Sequence, residues 1–361
     1  KEIAEGTLTR DEAKELLSCF WIKVNNHPAP PKVGITARES GTYNDFTNIN
    51  IGGVKRDGSD GTNEVSYIML EIIEELHILQ PGNSVHISNK TPDRLLHAAA
   101  KVIRQGHGYP SVFNADTYIL EMVGMGKTLE DAREGGCSGC IEVGAFGKEA
   151  YLLVGYLNVP KIFEVTLNNG IDPVTGKIVS IQTGDPRNFK TFEELYDAFH
   201  KQLDYIIDMK IRVSNYIDRM FAKYAPAPFL SVVIEDCITK GRDYYDGGPR
   251  YNTSYFMCTG LGTTTDSMTA VKKHIFEDKK YTMQQLLDAL DKNFDGEEVM
   301  RQFIMNHTPF FGNDDDYADS IAQRVYNDLL KLIDGKPNIR GGKYHLNMLS
   351  TTCHVYFGKV M

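Results

Sequence analysis

Four glycines within the twelve residues Arg133–Gly144 constrain this chain more than any other feature. The segment reads Arg133-Glu134-Gly135-Gly136-Cys137-Ser138-Gly139-Cys140-Ile141-Glu142-Val143-Gly144. Glycine at that density opposes both helix and packed strand, because each one has extra backbone freedom to lose on folding. It suits a loop pushed into a crowded interior, where backbones must approach closely. Cys140 and Glu142 flank Ile141, and in an extended loop residues two apart point to the same side. A thiol and a carboxylate would then face one small pocket.

Three chemistries fit. The segment can be a glycine-rich turn with two buried structural cysteines. It can be a Cys137-x-x-Cys140 redox or zinc-binding motif. A zinc site needs a second pair of ligands, for which Cys353-His354 is a weak candidate, and a thioredoxin-like use needs the motif to open a helix. Or Cys140 forms a radical while Glu142 moves protons, which calls for a dry interior where a thiyl is not quenched. The residues by themselves leave the choice open.

Composition narrows the setting. The 361 residues are 42% apolar and 24% charged, as in a globular protein, and carry a net charge of -9 without any basic run. Nucleic acid and anionic membrane surfaces both require clustered positive charge, so neither is an expected partner. No stretch approaches the roughly 20 apolar residues that span a bilayer. No apolar h-region follows Lys1-Glu2-Ile3-Ala4-Glu5-Gly6. Cys19, Cys137, Cys140, Cys237, Cys258 and Cys353 are scattered, a pattern expected of reduced thiols in a cytoplasm. The first helical pattern is expected to start before Lys1 and the last segment has no terminating signal, which suggests part of a longer chain.

Periodicity predicts an α/β fold in one continuous region, residues 1–361. Val65, Ile68, Met69, Ile72, Ile73 and Leu76 recur at helical spacing between Asn63 and His77. Ser84–Ser88 reads as a strand, Thr91-Pro92 as a helix start, and Ser111-Val112-Phe113 as a strand end. A helix of roughly 50 Å is predicted from Thr191 to Tyr224, opened by the capping box Thr191-Phe192-Glu193-Glu194. Thr282-Met283-Gln284-Gln285 opens another, and a further helix runs from about Tyr317 to near Gly335. Ser254–Cys258 and Tyr344–Met348 read as strands, whose parallel or antiparallel pairing the pattern leaves open.

Several segments together carry a family resemblance. Gly139-Cys140-Ile141-Glu142 resembles the cysteine-loop signature of glycyl radical enzymes that eliminate water or amines. Pro110-Ser111-Val112-Phe113-Asn114, Gly312-Asn313-Asp314-Asp315-Asp316 and Ser350-Thr351-Thr352-Cys353 are similar to segments flanking the active site in that family. The likeness covers essentially the whole chain. Arg38-Glu39-Ser40-Gly41-Thr42-Tyr43-Asn44-Asp45-Phe46, Tyr151-Leu152-Leu153-Val154-Gly155-Tyr156 and Thr351 are similar to the branch that dehydrates trans-4-hydroxy-L-proline.

The resemblance implies part of a ten-stranded α/β barrel, of the pyruvate formate-lyase-like type, surrounded by long helices. It implies Cys140 as the thiyl and Glu142 as the acid/base. It also implies Ser40, Asp45, Phe46, Tyr156 and Thr351 as lining for the substrate, with no metal. The set suits a zwitterionic hydroxylated ring: Ser40, Tyr156 and Thr351 donate to a carboxylate, Asp45 accepts from an ammonium or hydroxyl, and Phe46 walls the ring carbons. Each has a plainer reading, since Asp45 can hold a turn, Phe46 or Tyr156 can be core, and Thr351 can be a strand residue.

The implied reaction needs a glycyl radical installed by a radical-SAM activating enzyme, in an anaerobic cytoplasm and in a homodimer. Cys140 takes a hydrogen atom from the ring carbon next to nitrogen, Glu142 protonates the departing hydroxyl, and a pyrroline carboxylate results. Two other classes stay open: another eliminating glycyl radical lyase acting on glycerol, a diol or choline, and a non-catalytic CxxC redox or zinc protein. One departure is plain. The radical glycine lies in an Arg-Val-x-Gly-Tyr-type motif, and neither Arg212-Val213-Ser214 nor Arg340-Gly341-Gly342 matches it. The N-terminal part and the glycine radical domain of the family are therefore expected to be absent, and the chain alone inactive.

Overall fold

Helix ends in this chain follow short-range side-chain signals, whereas the strands of its three-stranded sheets find partners far along the sequence. The computed structural model describes residues 2–26, 47–349 and 353–360. Contacts divide the chain into two units, one of residues 1–151, 227–244 and 248–251, the other of 152–226, 245–247 and 252–361.

After a single helical turn at Glu2–Glu5, the first unit has α1 (Arg10–Asn25), then alternates β1 (Asn48–Gly52), α2 (Glu64–Leu76), β2 (Gly82–Ile87), α3 (Asp93–Ile103) and β3 (Ser111–Asn114). Asn63 starts α2, its side chain accepting from the Val65 N–H, and His77 ends it in the left-handed region, as the periodicity predicts. The apolar residues of α2 serve two neighbours. Ile68 and Ile72 pack with Trp21 of α1, while Tyr67, Leu70 and Ile73 pack with Ile51 and Val85 of the strands. Burying each such aliphatic side chain contributes about 1.5–3 kcal/mol. At α3 the predicted start moves by one residue. Pro92 is the N-cap, and Thr91 Oγ1 instead accepts from Ser88 N at 2.8 Å.

Strands β1, β2 and β3 form one sheet in that order, both pairings parallel, which answers the question the pattern left open. Because strand side chains alternate, the sheet has two unlike faces. Ile49, Ile51, Val85 and Ile87 join the helices in an apolar core. Asn48, Asn50, Ser84 and His86 occupy the other face. Two further helices, α4 (Ala115–Gly124) and α5 (Leu129–Arg133), lead to β4 (Gly136–Ser138) and β5 (Glu142–Gly144).

Strand β6 (Glu149–Asn158) begins in the first unit and continues from Leu152 in the second, which goes on to α6 (Val159–Leu167) and α7 (Phe192–Tyr224). Helix α7 has 33 residues, with Thr191 accepting from Glu194 N at its start. Its buried stripe, Leu195, Phe199, Leu203, Ile207 and Ile211, repeats every fourth residue. Strand β7 (Tyr251–Thr259) is the middle of a three-stranded sheet between β6 and β8 (Tyr344–Met348), and β7 and β8 run parallel. The helix predicted from Tyr317 spans Asp316–Ile333, and the Thr282 capping box is present. No helix among the described residues is long and apolar enough to cross a membrane.

Candidate active site

Strands β4 and β5 make an antiparallel hairpin whose register pairs Gly136 with Gly144, Cys137 with Val143 and Ser138 with Glu142. The glycine density that speaks against packed strand is therefore met by one, for a steric reason. A Cβ at Gly136 would lie 2.7 Å from His86 Cε1, and one at Gly144 would lie 2.6 Å from the Tyr151 ring. Only residues without side chains let this ladder lie between those rings. Asn48 of β1 fastens the hairpin to the polar face of the sheet, its Nδ2 donating to Ser84 Oγ at 3.1 Å and to Cys137 O at 3.3 Å.

Gly139-Cys140-Ile141 is the hairpin tip. There the Glu142 carboxylate turns back, its Oε2 accepting from Cys140 N at 2.8 Å and from Ile141 N at 3.1 Å. Glu142 is 5% exposed. Thiol and carboxylate thus share the tip, as the two-residue spacing predicts. Among the described residues Cys137 is buried and Cys140 exposed, and the dry interior expected around Cys140 is not formed by them.

The electrostatics favour protonated sulfur. Burial pushes the Cys137 thiol up to about 12, with help from the charges at Glu142 and Cys140. Burial, then Glu142, also pushes Cys140 above its ordinary value. A cysteine that attacks or ligates a metal needs the opposite shift, toward thiolate. One that exchanges a hydrogen atom needs the S–H bond kept. Burial and the nearby Cys140 raise Tyr109 as well. Beneath the hairpin, His86 Nδ1 is 2.8 Å from Tyr118 OH, and burial pushes this imidazole down to about 4.

Charged side chains brace both stems. Lys148 Nζ donates to Asp131 Oδ1 and to Glu134 Oε2, each at 2.7 Å. Asp131 also accepts from Tyr251 OH at 2.8 Å and Arg250 Nη1 at 3.2 Å. Burial alone would raise the Asp131 carboxyl, but these donors outweigh it and hold it well below the usual range. Lys127 Nζ pairs with Glu149 Oε1 at 3.0 Å in a fully buried bridge, and Glu149 Oε2 accepts from Ala145 N at 2.8 Å. None of these residues stood out in the sequence. The available signal was Lys148-Glu149, a charged pair set between the apolar runs Ala145-Phe146 and Ala150–Val154.

A model of the pyruvate formate lyase-like family matches residues 1–358. The chain belongs to that family. It is 52% identical over all 361 residues to trans-4-hydroxy-L-proline dehydratase of Clostridioides difficile, covering 46% of that protein. The crystal structure of the hydroxyproline dehydratase of that organism with trans-4-hydroxy-L-proline bound superposes with a TM-score of 0.96, covering 100% of this chain and 46% of that one. The glycerol-bound B12-independent glycerol dehydratase from Clostridium butyricum gives 0.93 at 34% identity, covering 98% and 45%. The chain thus spans about half the length of the family members it matches. The fold is the mixed α/β one of these pyruvate formate lyase-like structures, as the resemblance implies.

Of the expected site residues, Cys140 and Glu142 meet at the tip. Tyr156 belongs to the second unit, on β6, and is about a third exposed. It follows Gly155, whose φ is +81°. Leu157 is buried in the second unit's core and Val154 packs against it. Lys210 Nζ donates to Val154 O at 2.5 Å. Ser40, Asp45, Phe46 and Thr351 lie outside the described residues.

Proposed function

We propose that this chain carries the hydrogen-atom-transferring and proton-transferring residues of a trans-4-hydroxy-L-proline dehydratase. The observation that carries the reading is the hairpin tip, where a thiol and a carboxylate anchored on the tip's backbone lie two residues apart. The identity of 52% over the full chain supports the hydroxyproline branch. The glycyl radical, installed by a radical-SAM activating enzyme, supplies the hydrogen-atom abstraction that turns the Cys140 thiol into a thiyl.

Cys140 then takes one hydrogen atom from the ring carbon beside nitrogen, forming S–H and leaving a carbon radical next to the hydroxylated carbon. The Glu142 carboxylate takes a proton from the substrate ammonium and delivers it to the hydroxyl as the C–O bond breaks, and water leaves. Cys140 returns its hydrogen atom to the ring, giving 1-pyrroline-5-carboxylate and restoring the thiyl. Atoms balance as substrate minus water. Ser40, Tyr156 and Thr351 receive the substrate carboxylate, Asp45 the ammonium or hydroxyl, and Phe46 the ring. These strands belong to the ten-stranded barrel of the family, with residues 1–361 as one part of it. A homodimer in an anaerobic cytoplasm completes the reading.

The test uses the complete gene product, incubated anaerobically with its activating enzyme. A glycyl doublet in the electron paramagnetic resonance spectrum, followed by pyrroline carboxylate that disappears in Cys140→Ser, is the expected result. Glu142→Gln should keep the doublet and lose dehydration, and full turnover by that variant removes Glu142 from the mechanism. A doublet without turnover moves the substrate to glycerol, diols or choline. No doublet returns Cys137 and Cys140 to a structural or metal-binding role.

A further inference from the structure

The hairpin that presents Cys140 and Glu142 is a weak support on its own. Its ladder is three residues long on each side, and Gly135, Gly136, Gly139 and Gly144 leave its backbone with unusual freedom. Reacting groups must nevertheless be held closely, since a misplacement of about 1 Å costs about a hundredfold in rate. Something outside the ladder has to fix the tip.

The charged side chains around the stems are placed to do this. The entering stem carries Asp131 in α5 and Glu134 just after it, and the leaving stem carries Lys148 and Glu149 just after β5. Lys148 Nζ reaches across to both acids at 2.7 Å. Its side chain is 9% exposed and that of Asp131 is 5% exposed, so solvent screens this bridge little. Tyr251 and Arg250 fix the far oxygen of Asp131, which leaves the carboxylate no freedom to follow a displaced lysine. Lys148 N donates to Ala145 O at 3.1 Å, so the same residue also closes the turn that leaves the hairpin. A bidentate bridge between stems seventeen residues apart in sequence is the shortest available brace for a glycine-rich tip.

We propose that Lys148 is a positioning residue for Cys140 and Glu142: its ammonium, bridging Asp131 and Glu134, locks the two hairpin stems together and thereby sets the thiol–carboxylate geometry. The proposal rests on the assignment of Cys140 and Glu142 as the reacting pair. It assigns Lys148 no contact with substrate.

The experiment compares the parent with Lys148→Met, Lys148→Arg and Asp131→Asn. Alkylation of Cys140 by iodoacetamide is followed by peptide mass spectrometry from about pH 7 to 11, with Cys19 as the exposed internal control. Cys140 titrates against Glu142, Cys137 and Tyr109. Loosening the stems lets water reach the sulfur and takes the Glu142 carboxylate away from it. The Cys140 midpoint in Lys148→Met should then fall by about half a unit or more, with Cys19 unchanged and Lys148→Arg close to the parent. An unmoved Cys140 midpoint in folded Lys148→Met overturns the proposal. If Lys148→Met gives no cooperative melt, Asp131→Asn decides instead, because Lys148 then keeps Glu134. A smaller downward shift supports the brace and an unmoved midpoint overturns it. In the activated complete gene product, kcat for Lys148→Met should fall about a hundredfold at unchanged KM. Absence of a glycyl doublet in the parent would refute the radical reading, while the alkylation profile would still report on the brace.

Discussion

Gly135→Ala should destabilise the cysteine hairpin. A Cβ at Gly135 would sit 2.3 Å from Gly144 O and 2.9 Å from Met122 Cε. An ordinary carbon–oxygen contact is about 3.3 Å or longer, so the clash is about 1 Å deep. The methionine can swing away, but the Gly144 carbonyl is backbone in the antiparallel ladder and cannot move without parting the strands. Overpacking against yielding side chains costs about 1–3 kcal/mol, and a clash with fixed backbone belongs at the top of that range. For a unit of this size about 3 kcal/mol lowers the melting temperature by about 6–12 °C. Gly124→Ala is the matched control, since it ends helix α4 with nothing within 4 Å of the added carbon. It should be neutral or stabilise by up to about 1 kcal/mol. Thermal melts followed by circular dichroism measure both. If Gly135→Ala melts within a degree or two of Gly124→Ala, the claim that close backbone approach explains the glycines is wrong.

Other outcomes follow from the buried charges. Lys127→Met should cost about 3–5 kcal/mol by stranding Glu149, and the double variant with Glu149→Leu should recover part of that; urea denaturation of the cycle measures the coupling. His86 has a folded-state pKa of about 4, below the ordinary value near 6.5, so the unfolded chain binds the proton more readily. Its contribution is complete above about pH 6.5 and is lost as pH falls toward 4, amounting to about 3 kcal/mol. His86→Gln should flatten the stability profile across that window. A profile as steep as the parent's would assign the acid lability to other groups.

The elements differ in how much of them could be read in advance. The ends of α2 and α7, and the helix after Thr282, were legible because a cap is made by residues two or three apart, which any sequence window contains. The apolar repeat of α2 was legible too, but not that its apolar residues divide between a helix and a sheet. That a thiol and a carboxylate share the tip was legible because Cys140 and Glu142 are neighbours in sequence. Its bracing was not, since Lys148 meets Asp131 at a separation of seventeen residues and Asp131 meets Tyr251 at 120. A lysine destined for burial looks the same in sequence as one destined for the surface.

The sequence by itself therefore determined the α/β class, the local caps and the pairing of a thiol with a carboxylate on a glycine-rich turn. These depend on contacts within a few residues, whose geometry the chain's covalent structure nearly dictates. Tertiary structure decided that β1, β2 and β3 run parallel, that the glycines form a ladder between His86 and Tyr151, and that four charges are buried as the stems' brace. Those outcomes depend on which distant segments exclude water from one another, and burial raises the energy of an unpaired charge until it finds a partner there.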